Sequence, residues 1–386
     1  MRFAIEALGL TAGGGKELGL NFLSRLRQFP EHDFVLFVPD LPEYAAISGP
    51  NIRSILHSGY RNLAYRYWTL QRAVPRLCAE NRIDALLCLG NFAPYRSPCP
   101  TAVLIQNAYL AYREPVAERR LTFRERLILA YGRSALRALR NSSEVVVQTA
   151  IMRERLLSLR PFDSEKISVI TNPLDCADSG LKAVVRSDRE SRPFTFLCLT
   201  RYYAHKNLEI LPEALKRVLA CTPQPVRCLI TISANQHPRA RKLLDRIKRE
   251  GLSHVLTNMG PVPNCRLAHT FASADALVLP TLLESHTRTY SEAMKWGLPV
   301  LTSGRDFARG LCGEAALYFD PLDPESVANA MLAIMADQDL RLKLVNAGRR
   351  VVAGLPSWDV IAAQFVAVLE RTAEGKPART DPLCVA

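Results

Sequence analysis

Short apolar runs rich in β-branched residues recur along the chain, and amphipathic stretches fall between most of them. RFAIEALG, DFVLFVP, DALLCLG, TAVLIQN, EVVVQT and ISVITNP predict strands in the first half. FTFLCLT, RCLITIS, ALVLPT, PVLTS and AALYFDP predict strands in the second. Helical periodicity fills intervals such as 211–221, 239–250 and 325–336. Strands alternating with helices build parallel sheets covered on both faces. At 176–193 the stretch CADSGLKAVVRSDRESRP breaks the rhythm with Gly, Pro, Ser and charge, and reads as a linker. A chain of 386 residues is long for one core. The expected fold class is therefore α/β, with two doubly wound domains at 1–178 and 179–358, a helix over 359–375 and a loose tail at 376–386.

Composition narrows the class. The chain is 48% hydrophobic and 23% charged, as globular proteins are. It lacks a run of about 18 apolar residues, the length a membrane-spanning helix requires. MRFAIEALGL carries Glu6 inside its apolar stretch and reads as a first strand, not a leader. The ten cysteines are scattered without CxxC or HExxH spacing, so no metal site is expected and a reduced, cytoplasmic setting is the simplest reading. Net charge is +13, spread over both halves. Nucleic acid, an anionic membrane and a phosphorylated substrate all fit a basic protein, but no nucleic-acid motif supports the first.

In parallel sheets, ligands bind beyond the carboxyl ends of the strands. The first strand is followed by LTAGGGKELG, where Gly14 and Gly15 permit close backbone approach to a phosphate beside a helix N-terminus. The alternative is a plain tight turn. FTFLCLT is followed by RYYAHKN, where Arg201 and Lys206 near a helix start form an anion site, or else two solvated cations on a loop. ALVLPT is followed by LLESHTRTYSEAMKWG, with Glu284 in the loop and Glu292 in an early turn of a helix that starts near Thr289 and stops at Gly297. Between the glutamates, backbone N–H groups through His286, Thr287, Arg288 and Thr289 face whatever binds. A carboxylate accepts from two hydroxyls at once, which suits a vicinal diol. One Glu for a sugar, one for a ribose and amides for phosphates describe a nucleotide-sugar site. Glu292 alone also suits the positive end of a helix. Backbone contacts near GPVP, around Val262, are candidates for holding a base.

These motifs resemble the retaining glycosyltransferases of family four, the group-one family. Its E-x7-E signature followed by AM..G.PV matches Glu284, Glu292 and AMKWGLPV, and its strand-Arg-Lys signature matches TRYYAHKN. The resemblance covers roughly 1–370 and is most specific over 260–325. It implies the GT-B arrangement: two Rossmann-like domains with parallel sheets facing across a cleft, and a final helix, SWDVIAAQFVAVLERT, crossing back to the first domain. It also implies that Arg201 and Lys206 hold a donor diphosphate, that Glu284 takes the transferred sugar and that Glu292 takes the ribose. No cofactor or metal is then required, since the nucleoside-diphosphate sugar is a substrate. The chain departs from the family in two places. Where the family commonly reads Gly-Phe-Gly after the first Glu, this chain has Ser285, His286 and Thr287, which alters the sugar pocket. Where many members carry a His after a mid-domain strand, it has Gln106 and Asn107, the acceptor-side candidates.

The partners expected are a nucleotide-sugar donor and a glycan or lipid-linked acceptor in cell-surface polysaccharide or glycolipid assembly, not nucleic acid. A sugar-nucleotide epimerase or a phosphorylase would share the architecture, and a basic nucleic-acid-binding protein is the non-enzymatic alternative. The segment 113–140 holds eight Arg and three Glu, with Leu121, Leu127, Leu129, Tyr131, Leu136 and Leu139 among them. It reads either as a basic amphipathic segment that meets the inner face of an anionic membrane or as a solvated helix packed on the first domain.

Overall fold

The apolar runs become two fully parallel sheets in the computed structural model, which describes residues 1–136, 139, 142–159, 163–173 and 192–378. The first sheet holds β1 (Arg2–Glu6), β2 (Asp33–Pro39), β3 (Ile52–His57), β4 (Ala85–Cys88), β5 (Thr101–Ile105), β6 (Glu144–Val147) and β7 (Ile167–Val169), in the order β3-β2-β1-β4-β5-β6-β7. The second holds β8 (Phe194–Cys198), β9 (Val226–Ile230), β10 (Leu256–Asn258), β11 (Ala276–Leu279), β12 (Val300–Ser303) and β13 (Ala316–Phe319), in the order β10-β9-β8-β11-β12-β13. Both wind outward from their first strand in two directions. The order therefore reverses between β1 and β4 in one sheet and between β8 and β11 in the other. This is the doubly wound α/β fold, with two Rossmann-like sheets.

Strands β3 and β10 were absent from the sequence reading, and both are sheet edges. An edge strand needs apolar residues on fewer sides, and β3 is only partly buried along its length. β10 has three residues, too few to show a period. The helices at 211–221, 238–249 and 324–336 fall where periodicity placed them, within a residue.

The chain divides into two units near the expected boundary, with the final helix in the first as the resemblance implies and one further exchange at residues 114–121. Residues 114–121 count with the second unit, and residues from Pro356 onward count with the first. The linker at 176–193 lies outside the described residues up to 191, as does the tail from 379. The segment 113–140 is not one amphipathic helix. It is a short helix at Pro115–Arg119 and a longer one at Phe123–Ala135, with Leu129, Leu136 and Leu139 buried. Arg137 and Arg140 lie outside the described residues.

The helix Trp358–Ala373 explains why the end of the chain belongs to the first unit. Ser357 caps it, and Trp358, Ile361, Phe365 and Leu369 recur at helical spacing into the first core. Phe365 meets Phe22 with ring centroids 4.8 Å apart. Polar ties flank this stripe. Arg25 donates to Asp359 at 2.9 Å, and His32 Nε2 lies 3.0 Å from Glu370 Oε1. Arg371 Nη2 donates at 2.8 Å to Glu144 Oε1, which also accepts from Ser168 Oγ at 2.6 Å. Glu144 is 1% exposed, so Arg371 is what neutralises a carboxylate taken out of water.

Arg371→Met should therefore destabilise the first unit by about 3–5 kcal/mol, the usual cost of orphaning a buried charge. Adding Glu144→Gln should recover much of that loss. Urea midpoints of the two variants decide it, and a single variant as stable as the parent would show that the pair is dispensable.

Candidate active site

The loops at the second reversal carry the E-x7-E and Arg-Lys motifs. Beyond β8 the chain runs through Arg201, and a one-turn 3₁₀ helix, Ala204–Lys206, places Lys206 inward. Asn207 ends that turn at φ +58°, a left-handed conformation that Asn tolerates better than most residues. Its side chain is fixed at both ends. Nδ2 donates to Pro321 O at 2.6 Å, and Oδ1 accepts from Arg120 Nη1 at 2.6 Å. Tyr202 N donates to Gln236 Oε1, and the Tyr202 hydroxyl bonds Glu209. Arg201 itself stays exposed.

Beyond β11, Leu282 N donates to His205 O at 2.7 Å, which stitches the two loops together. Lys206 Nζ and Glu284 Oε1 form a buried ion pair. Thr281 Oγ1 lies 3.0 Å from the same carboxylate oxygen. Two residues assigned to different ligand groups are thus each other's partner, and the exposed cation of the motif is Arg201. The helix begins at Arg288, one residue before the expected start, with Thr287 at the N-cap position. Arg288 Nη2 lies 3.5 Å from Glu292 Oε1, one helical turn on. Gly297 takes φ +70°, and Leu298 N and Gly297 N return to Ala293 O and Met294 O, the closing bonds of a Schellman stop.

His286 lies between the two ion pairs in sequence. Burial pushes its pKa down to about 4; Arg288 acts in the same direction and Glu284 opposes. At neutral pH it is an uncharged imidazole, one donor and one acceptor, and not a third cation. Thr289 is half-buried in the first turn of the helix. Val262 is half-buried in the loop after β10, where Asn258 Oδ1 accepts from Gly260 N at 3.2 Å.

The first reversal gathers the remaining candidates. Gly14 and Gly15 lie in the first turn of the helix Gly13–Leu23. A Cβ on Gly14 would meet nothing within 4 Å, whereas one on Gly15 would lie 3.3 Å from Leu10 and 3.7 Å from Gln106 Oε1. Gln106 and Asn107 offer their backbone N–H groups to Asn91 Oδ1 at 2.7 and 2.8 Å. Gln106 Nε2 donates to Leu89 O, and Asn107 caps the next helical turn through Tyr109 N. Both side chains therefore hold loops in shape.

Sequence reasoning missed Arg120, Asn91 and Glu6 here. Nothing local marks Arg120 or Asn91. Glu6 had a signal, an acid inside an apolar strand. Its Oε1 accepts from Leu8 N at 2.8 Å. Burial pushes its pKa up to about 7, against the Leu8 hydrogen bond and the nearby Arg66.

Comparison with known proteins agrees with this fold. Residues 12–178 match the family model described as Glycosyltransferase Family 4, and residues 183–351 match that described as Glycosyl transferases group 1. The chain belongs to the group 1 glycosyltransferases of family four. It is 25% identical over 358 residues to a D-inositol 3-phosphate glycosyltransferase of Xylanimonas cellulosilytica, covering 88% of this chain and 80% of that one. It is 26% identical over 180 residues to a mannosylfructose-phosphate synthase of Agrobacterium fabrum, covering 45% of this chain and 40% of that one. Among solved structures it resembles sucrose-phosphate synthase of Thermosynechococcus elongatus, at TM-score 0.70, 18% identity and 96% and 98% coverage. It also resembles the Anabaena protein HepE solved with UDP-glucose, at TM-score 0.71, 15% identity and 96% and 99% coverage. At such identities the structural likeness shows the fold.

Two outcomes follow from the buried charges. Lys206→Met strands Glu284 and should cost about 3–5 kcal/mol, while Lys206→Met with Glu284→Leu should cost clearly less. Equal losses in a denaturation series would show that the pair is not coupled. The folded pKa of Glu6 lies above its ordinary 4.5, so its contribution to stability is complete below that value and is lost as pH rises through about 7. Glu6→Gln should thus raise stability near pH 8 by about 3 kcal/mol and change it little near pH 4. Melting curves that shift equally at both pH values would contradict this.

Proposed function

We propose that this glycosyltransferase moves a sugar from a nucleoside-diphosphate donor to a glycan or lipid-linked acceptor with retained anomeric configuration and without a metal. The observation that carries the reading is the meeting of two loops at the second sheet's reversal. Cations follow β8, carboxylates follow β11, and Lys206 and Glu284 join them. In the transition state a sugar cation separates from a leaving diphosphate. Arg201 and Lys206 stabilise the growing negative charge, with backbone N–H groups from His286 to Thr289 beside them. Glu284 accepts from the hydroxyls of the transferred sugar and Glu292 from the ribose. The loop around Val262 contacts the base. Gly14 and Gly15 permit close backbone approach to a phosphate, and Gln106 and Asn107 are the acceptor-side candidates. The acceptor attacks the face that the diphosphate leaves, and the diphosphate takes its proton, so no separate base is needed.

The pairing of Lys206 with Glu284 adds a constraint. The ammonium must serve the diphosphate while remaining close to a carboxylate, which keeps its charge in place before the donor arrives. Three relatives or structural neighbours carry phosphate in their names, which supports an acceptor that bears phosphate. A phosphorylated, lipid-linked acceptor fits a cytoplasmic enzyme working at the inner face of a membrane. No single helix among the described residues is long and apolar enough to cross one.

Arg201→Ala should lose roughly 2–4 kcal/mol of transition-state stabilisation while remaining folded, by analogy with removal of one oxyanion donor. Turnover with UDP- and GDP-sugars measures it, and full activity at low and saturating donor would remove Arg201 from the role. Glu292→Gln should weaken binding of the bare nucleoside diphosphate. Glu284→Gln should leave that binding intact or tighter, because Lys206 is released, and should impair transfer. Calorimetry on both variants separates the roles, and equal losses of nucleotide affinity would refute the division. Donor incubated alone that returns an altered sugar would favour the epimerase.

A further inference from the structure

The first unit carries an apolar surface that the proposed chemistry does not use. On the helix Phe123–Ala135, Phe123, Leu127 and Tyr131 stand four residues apart on one exposed line, and Phe123 and Leu127 are 78% and 55% exposed. The opposite side of the same helix, at Leu129 and Gly132, is buried. The line continues onto a second element. Tyr131 meets Tyr67 edge to face with centroids 5.8 Å apart, and its ring centroid lies 6.2 Å from that of Phe92. Beside Tyr67 on the helix Leu63–Trp68, Trp68 is 59% exposed.

Charge borders this strip. Arg124 and Arg126 are exposed and flank the Phe123–Leu127–Tyr131 line, one on each side at 100° per residue. Arg72 is exposed in the turn that follows Trp68. A Trp, a Phe, a Leu and paired Tyr residues with arginines on both flanks match the two layers of an anionic bilayer surface: acyl boundary for the rings, phosphate headgroups for the guanidiniums. A water-exposed apolar strip with no such use would be an aggregation liability.

We propose that this strip, centred on Phe123, Leu127, Tyr131, Tyr67 and Trp68, is where the protein docks on a bilayer rich in anionic phospholipid. The proposal rests on the membrane part of the functional reading and relocates it. The basic segment as a whole is not the contact, since Arg120 is bonded to Asn207 and Arg133 donates to the carbonyls of Tyr109 and Tyr112. The rings enter the boundary and the flanking arginines bind headgroup phosphate.

The test uses the full chain with vesicles of phosphatidylcholine alone or mixed with phosphatidylglycerol. Sedimentation with vesicles should rise with the anionic fraction and fall with salt. Arg124→Gln and Arg126→Gln should each lower partitioning about fivefold, the equivalent of about 1 kcal/mol per basic residue. Trp68→Ser with Phe123→Ser and Leu127→Ser should lower it at least tenfold at constant charge. Vesicles should blue-shift, and brominated lipid should quench, the part of the emission that Trp68→Phe removes, a difference from which the signals of the half-buried Trp296 and the buried Trp358 cancel. Calorimetry with nucleoside diphosphate on the same variants should be unchanged. That separates loss of docking from failure of the donor-site reading, which would appear as no nucleotide binding by the parent. Binding indifferent to lipid charge, docking that survives the triple serine variant, or self-association that the triple variant abolishes while vesicles stay unbound would each overturn the proposal.

Discussion

Parallel strands put all their carboxyl ends along one edge, and their crossover helices cover both faces. Chemistry is then confined to the loops along that edge, and the winding direction decides which loops separate. Adjacent crossovers normally pass on one face and fill the space above the strand ends. Where the order reverses, between β1 and β4 and between β8 and β11, they leave on opposite faces and the loops stand apart. Every candidate site residue except Val262, Gln106 and Asn107 lies directly after one of those strands or at the start of the helix that follows. Gln106 and Asn107 follow β5 and reach back to Asn91 after β4.

The Lys206–Glu284 pair is costly in isolation, because both groups leave water. It is supported by neutral groups that fix the two loops: Thr281 at the carboxylate, Leu282 N on His205 O, and Asn207 anchored to Pro321 and Arg120. A pre-oriented ammonium loses little freedom when an anionic ligand arrives. Glu292 is likewise held, by Arg288 one turn away. The candidate site is thus built from balanced charge pairs, with Arg201 exposed in the same loop as Lys206, and not from a cluster of bare cations. The neutral His286 fits the same economy, since burial removes the charge it would otherwise add.

The first unit solves a different problem. Its strand ends are held by amides, Asn91 and Gln106 above all, and by Glu6, whose burial favours the neutral acid. The final helix completes this unit from the far end of the sequence, with an aromatic stripe inside and ion pairs at its borders. Residues 114–121 make the converse exchange, leaving the first half of the sequence to pack with the second unit.

The sequence by itself determined the fold class, every strand but β3 and β10, and the motif residues. Buried parallel strands must be nearly continuous apolar runs, and Glu284, Glu292, Arg201 and Lys206 sit at spacings that place them at strand ends or helix starts. It left β3 and β10 unseen, because β3 is only partly buried and β10 has three residues, too few to show a period. Tertiary structure alone decided which charges face each other. Nothing local tells Lys206 that Glu284 is its partner, 78 residues away, or gives Asn207 to Arg120, 87 residues away. It also decided which side of the Phe123–Ala135 helix is wet. Leu129 and Leu127 read alike in the sequence, and only packing against the rest of the unit buries one and exposes the other. Contacts over such separations depend on how strands are ordered in a sheet, and order is a property of the whole chain.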